Sequence, residues 1–187
     1  VPLKKRDSAV VIGAGLIGLL VIQALKAKGA GTVIAVDLDE KRLEMALQLG
    51  ADHVLISNDE VPAKVRELVG NHDGADIAME VVGFGPTINL AIESVRKGGS
   101  IGCVGNLKAE VPFPLQALVT RELSVFGSCA SAGEYEAAVQ AVADGSIKVE
   151  PLISAVADLK DGGDWFHRLH KNDEGLMKVI LRPGAEA

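Results

Sequence analysis

Cysteine, tryptophan and tyrosine are almost missing from this chain, with two, one and one copies in 187 residues. Two thiols, Cys103 and Cys129, are too few for a disulfide framework or a four-thiolate metal site. The expected setting is therefore reducing, intracellular and cytoplasmic. Positive charge is not in excess either. Nineteen Lys and Arg against 25 Asp and Glu leave a formal charge of −6, which offers no footprint for nucleic acid. Internal repeats and low-complexity tracts are absent. What is present is apolar: 48% hydrophobic residues and a mean hydropathy of +0.27 exclude a disordered chain. Collagen, coiled-coil, knottin-like and zinc-finger architectures are excluded with it.

The longest uncharged run, 18 residues between Asp7 and Lys26, meets the lower length limit for a membrane-spanning helix. Three glycines interrupt it, and its opening A-V-V-I is short and β-branched. A strand, a glycine turn and a buried helix account for it better. Lys4, Lys5 and Arg6 precede the run, but no small-residue cleavage site closes a signal-peptide core. The chain opens on Val1 rather than Met, so a piece of a longer protein is expected.

Short apolar runs alternate with helical patterns over most of the length. Strands are predicted at 9–12, 32–36, 53–56, 77–82, 100–104 and 123–126, and helices at 16–28, 40–49, 63–69, 87–95 and 115–120. Turn signals separate them at Gly29–Gly31, Gly50, Gly83–Pro86 and Gly98–Gly99. Strands joined by helices imply right-handed crossovers and a parallel sheet covered on both faces. The fold class is thus α/β, a doubly wound six-stranded parallel sheet. After Ser131 the rhythm changes. An alanine-rich helix at 134–143, a polar loop around Gly162-Gly163, a helix at 164–170 and an apolar end at 177–181 do not read as another βα unit of the same kind. The expected division is residues 1–130 as the sheet domain and 131–187 as a return segment built for a partner surface.

Residues 13–18 read G-A-G-L-I-G, directly after V-V-I and directly before a helix. Gly13 permits a sharp turn, Gly15 permits backbone to approach a pyrophosphate, and Gly18 permits close helix packing. The helix start then offers unpaired N–H groups, and a partial positive charge, to phosphate. Asp37 follows 19 residues beyond Gly18, ending the strand T-V-I-A-V. That is the place of a carboxylate that accepts from ribose hydroxyls and repels a 2′-phosphate. Two unit charges about 4 Å apart are worth on the order of 4 kcal/mol at an effective dielectric of 20. NAD is therefore expected over NADP, with Lys41 and Arg42 softening the preference. The plainer alternative makes Asp37 a helix N-cap, with Glu40 three residues on. A methyltransferase also uses a glycine turn and a carboxylate, but the third glycine and the lack of a seventh strand count against it.

With these residues in view, the sequence resembles the zinc-dependent medium-chain dehydrogenases, in particular the sorbitol and polyol branch. The resemblance runs from about Arg6 to Pro183. Its landmarks, in order, are V-V-I-G-A-G-L-I-G-L-L, V-D-L-D-E-K-R-L-E-M-A, L-G-A-D-H-V, G-A-D-I-A-M-E-V-V-G, R-K-G-G-S-I-G-C-V-G, R-E-L-S-V-F-G-S and K-V-I-L-R-P. It implies a Rossmann-type NAD-binding domain in which Leu16 and Ile17 meet the pyrophosphate and Arg42 lies on the adenosine side. Val81 and Val82, ending the fourth strand, would line the ribose and adenine cleft. Cys103, Val104, Gly105, Ser124 and Phe126 would hold the nicotinamide carboxamide, and the sixth strand would pair with its copy in a homodimer or homotetramer. The family's catalytic zinc would sit in a domain preceding Val1, so no catalytic or metal-binding residue is assigned here. In the whole enzyme the substrate would be an alcohol or polyol, and the chain alone is expected to be inactive.

Other polar residues carry weaker signals. His167 and His170 share a helix face without a matching carboxylate or thiolate, and His53 and His72 have no nameable partner. Cys103 and Cys129 read as inert packing residues. Glu80 matches a glutamate of the polyol branch, or else makes an ordinary ion pair. Asp158, Asp161, Asp164 and Asp173 lack a calcium-loop register. The alternatives carried forward are a zinc-independent quinone or enoyl reductase using NADPH, which Asp37 disfavours, and a non-catalytic dinucleotide-sensing domain.

Overall fold

A computed structural model of the chain describes residues 1–70, 73–171 and 175–184. All six expected strands form, and every neighbouring pair is parallel: β1 (Ala9–Ile12), β2 (Val33–Asp37), β3 (His53–Ile56), β4 (Ala75–Glu80), β5 (Val95–Cys103) and β6 (Ser124–Gly127). They lie in the order β3-β2-β1-β4-β5-β6, the doubly wound arrangement. The helices between them are α1 (Leu16–Ala27), α2 (Glu40–Gln48), α3 (Val61–Leu68), α4 (Gly85–Ser94) and α5 (Leu115–Thr120).

Burial follows position in the sheet. All four residues of β1, and Val33 to Val36 of β2, are buried, because a central parallel strand is covered on both faces. The edge strand β6 is exposed throughout, and β3 is buried nowhere. On one face Val10, Ile12, Ile34 and Val36 share a core with Val61, Val65, Ile88 and Ile92. Leu19, Ile22 and Leu25 are the buried apolar positions of α1.

Three departures from expectation lie at the ends of elements. The side chain of Asp39, not Asp37, caps α2 by accepting from the amides of Lys41 and Arg42. Asp37 is therefore free for another task. Strand β4 ends at Glu80, so Val81 and Val82 belong to the turn that leaves the sheet. Val95, expected to close a helix, instead begins β5. It is extended because the chain re-enters the sheet at once, where Arg121 donates to the carbonyls of Ile92 and Val95.

The chain divides into two compact units, Val1–Ile147 and Lys148–Ala187. Helix α6 (Tyr135–Ala143) therefore lies in the first unit, beyond the expected boundary at Ser131. The second unit corrects the reading of the tail. It is a small βαβ unit in which β7 (Ile153–Asp158), α7 (Gly162–Lys171) and β8 (Lys178–Arg182) form a two-stranded parallel sheet of their own. The strand β7 goes unnoticed in sequence because its half-buried Ile153, Ala155 and Ala157 alternate with exposed residues and carry little apolar signal. Arg168 stacks over the Trp165 ring at 3.9 Å on α7. Among the described residues, no helix is long and apolar enough to cross a membrane.

Candidate functional site

Strand order reverses between β1 and β4, which sit side by side with Ile12 level with Glu80. Chains leaving such neighbours go to opposite sides, and their carboxyl ends leave a crevice. The turns after β1, β2, β4 and β5 all open there.

The first turn is built by three glycines with three different tasks. Gly13 has φ +99°, and a β-carbon on it would lie 2.8 Å from Cγ2 of Val82. Its amide donates to Val36 at 2.8 Å. Gly18 is buried in the first turn of α1, where a β-carbon would overlap the carbonyl oxygen of Gly13. Its tightest neighbour is thus the turn itself, while Val11 of the strand is in ordinary contact at 3.7 Å. Gly15 differs from both. Its φ of −72° suits any residue, and a β-carbon there meets nothing within 4 Å. The protein gives no internal reason for glycine at 15, so the open space above it is the reason to examine. Leu16 and Ile17 begin α1 beside that space. The first amides of a helix have no intrahelical partner, and Gly15 supplies no capping side chain.

Asp37 faces this turn from the end of β2. Its Oδ2 accepts from the Ala14 amide at 2.6 Å and its Oδ1 from the Asp39 amide at 3.0 Å. The guanidinium of Arg42 stands 4.0 Å from Oδ1, and the Asp37 side chain is only 10% exposed. One carboxylate therefore ties the glycine turn to the end of β2 while leaving an edge accessible. Beside it Leu38, the residue after β2, is an apolar side chain 80% exposed, which the sequence pattern did not single out for want of periodicity.

On the other side, the half-buried Val81 and Val82 form the turn after β4, pinned by the Val81 amide on Ile12 at 3.0 Å. Val104 and Gly105 follow β5 and donate to the carbonyl of Glu80 at 2.9 and 3.1 Å. Cys103, the last residue of β5, is half-buried; burial, and then the nearby Glu80, push its thiol above the ordinary value. Phe126 pairs with Gly102 near the carboxyl end of the exposed β6. Ser124 pairs with Ser100, three positions back from the Cys103 level, roughly 10 Å down the strand. The structure thus gathers Gly13 to Gly18, Asp37, Arg42, Val81, Val82 and residues 103–105 at one end of the sheet, and leaves Ser124 toward the other. Glu80 makes none of the ion pairs found among the described residues, contrary to the plainer expectation for it.

The comparisons with known proteins bear on this crevice. Residues 17–144 match the model of the zinc-binding dehydrogenase family. This chain belongs to that family. D-xylulose reductase A of Aspergillus oryzae is 35% identical over 184 residues, covering 93% of this chain and 50% of the relative. Sorbitol dehydrogenase of Bacillus subtilis is 28% identical over 182 residues, covering 97% of this chain and 52% of the relative. Among solved structures, the 2R,3R-butanediol dehydrogenase of Bacillus subtilis superposes with a TM-score of 0.88 at 30% identity, over 97% of this chain and 52% of that one. The chain therefore spans about half the length of the curated relatives it matches, which by name are reductases of D-xylulose and a dehydrogenase of sorbitol.

The two groups this dehydrogenase family implies fit the chain differently. A nicotinamide dinucleotide suits the crevice, since the space at Gly15 faces bare helix amides beside an acceptor carboxylate. Zinc does not suit this chain. Among the described residues no three His, Cys, Asp or Glu side chains stand together; His167 and His170 lie on α7 and His53 on the exposed β3. His72 and Asp173 lie outside the described residues.

Proposed function

We propose that this chain is the NAD-binding half of a zinc-dependent alcohol or polyol dehydrogenase that carries its metal and substrate site elsewhere. The observation behind the proposal is the Asp37 carboxylate, held by the Ala14 amide beside the open space at Gly15. In this reading the amides at the start of α1 bind the pyrophosphate and Asp37 accepts from the adenosine ribose, with Leu38 under the base. Val81 and Val82, which the resemblance puts in the ribose and adenine cleft, follow β4 on the side of β1 opposite Asp37 and pack on the 103–105 turn, so in this proposal they line the nicotinamide side with it, with Phe126 at its edge. Bound nicotinamide supplies the hydride acceptor, and the protein's share is to fix its face and exclude water. Neither a quinone or enoyl reductase nor a nucleotide sensor is favoured by any feature of the crevice.

Calorimetry with NAD and NADP tests the proposal. A 2′-phosphate about 4 Å from Asp37 is opposed by on the order of 4 kcal/mol at a dielectric of 20, and Arg42 offsets part of that. NAD should bind at least about tenfold tighter than NADP, and tighter NADP binding would overturn the assignment. The same proposal takes the exposed edge of β6, with Val125 and Phe126, as pairing with a second copy in a cytoplasmic homo-oligomer.

A further inference from the structure

Glu80 occupies the last position of β4, and none of it is open to solvent. A buried carboxyl is costly unless its oxygens find donors. Here Oε1 accepts from the Val82 amide at 3.0 Å, the Gly83 amide at 2.9 Å and the Thr87 hydroxyl at 2.8 Å. Oε2 accepts from the Gly83 amide at 3.0 Å. The main-chain oxygen of the same residue accepts from Val104 and Gly105. One residue thus holds the turn leaving β4 with its side chain and the turn leaving β5 with its backbone.

The two turns are wedged together. A β-carbon at Gly105 would overlap backbone atoms of Val82 and Gly83, and one at Gly83, where φ is +81°, would overlap the amides of Asn106 and Leu107. Val82 also abuts Gly13, with its Cγ2 only 2.8 Å from where a β-carbon would stand. Any displacement of residues 81–83 is therefore passed to the glycine turn on one side and to residues 104–106 on the other. Asp37 is one step further removed: its Oδ1 is held by the Asp39 amide after its own strand, and only its Oδ2 meets the glycine turn, at the Ala14 amide.

We propose that Glu80 is a positioning residue for the dinucleotide: without touching it, its carboxyl sets the 81–83 turn and so the spacing between the phosphate turn and the nicotinamide side of the crevice. The inference rests on the dinucleotide reading given above. It predicts that a defect at Glu80 is felt by the whole dinucleotide more than by its adenylate half.

The test compares the chain with Glu80→Ala, Glu80→Gln and Thr87→Val, measuring NAD and 5′-AMP binding by calorimetry and thermal unfolding alongside. Glu80→Ala should weaken NAD by about tenfold or more while AMP changes by less than about threefold. Glu80→Gln keeps one carbonyl oxygen for Val82, Gly83 and Thr87 and should recover most of the loss. Thr87→Val removes one donor, leaves the carboxyl in place and should show a smaller loss of the same NAD-selective kind. If Glu80→Ala does not fold, these two variants carry the comparison. Parallel loss of NAD and AMP in step with the melting temperature would mean a merely structural role and overturn the proposal, as would unchanged NAD binding in all variants. A parent chain that binds neither nucleotide would instead remove the dinucleotide reading beneath it.

Discussion

A methyl group at Gly15 should weaken binding strongly and spare the fold, whereas the same methyl at Gly18 should damage both. At Gly15 the backbone is already in a region any residue adopts, and a β-carbon meets nothing within 4 Å. Alanine gains about 0.4–1 kcal/mol by restricting the unfolded chain and loses a comparable amount as a poorer helix cap. The net change in stability should stay within about 1 kcal/mol. Binding is another matter, because the methyl fills the space through which a phosphate would reach the amides of α1. Each hydrogen bond to a charged group is worth about 1.5–3 kcal/mol, so losing one or two weakens NAD by roughly tenfold or more. At Gly18 the β-carbon overlaps the Gly13 carbonyl oxygen, and overpacking of this kind costs about 1–3 kcal/mol or more. In a chain of this size that lowers the melting temperature by about 2–10 °C. Thermal unfolding followed by circular dichroism, paired with NAD calorimetry, reads both effects. Retained NAD affinity in Gly15→Ala would refute the assignment of that space to a phosphate, and a Gly15→Ala chain as unstable as Gly18→Ala would refute the separation of roles.

The two thiols should differ in reactivity. Cys129 is exposed, while Cys103 is half-buried with its thiol raised by burial and by Glu80, so at pH 8 an alkylating reagent should label Cys129 at least about tenfold faster, and both equally in urea; equal rates in the native state would contradict this. Acid stability should depend on Asp76, which accepts from the amide and hydroxyl of Ser8 and from Arg96 at 2.7 Å. Burial raises its carboxyl, but these donors outweigh that and hold it below the usual carboxylate value. Its contribution is therefore complete above about pH 4, the unfolded value, and fades as pH falls through the lower folded one. Asp76→Asn should cost about 1–3 kcal/mol at pH 7 in urea unfolding and flatten the loss of stability below pH 4; an unchanged acid limb would show that Asp76 does not drive it.

How much of this was legible beforehand varied by residue. The doubly wound sheet could be read because β1 and residues 33–36 of β2 are buried on both faces as continuous apolar runs, and because glycine marks the turns between elements. Gly13, Gly15, Gly18 and Asp37 stood out by spacing alone. Their separate tasks were expected from the motif, but the contacts that enforce them were not. Only contacts distinguish Gly18, which cannot accept a β-carbon for reasons internal to the fold, from Gly15, which can. The capping role falls to Asp39 rather than Asp37 because Asp39 immediately precedes Glu40, where α2 begins, while Asp37 still ends the strand. Ser124 drifted out of the crevice because register along β6 is set by its pairing with β5.

What the chain's own sequence determines is the set of things that depend on local order: the alternation of strand and helix, the glycine turn at the start of α1, and the family to which those landmarks belong. Tertiary structure alone decides which groups from distant segments meet. Glu80 shows the difference most plainly. In sequence it is one acidic residue among 25 and suggests an ion pair. In the fold it is sealed from water among backbone amides of two turns, because β4 and β5 end side by side, and among the described residues none of the ion pairs includes it.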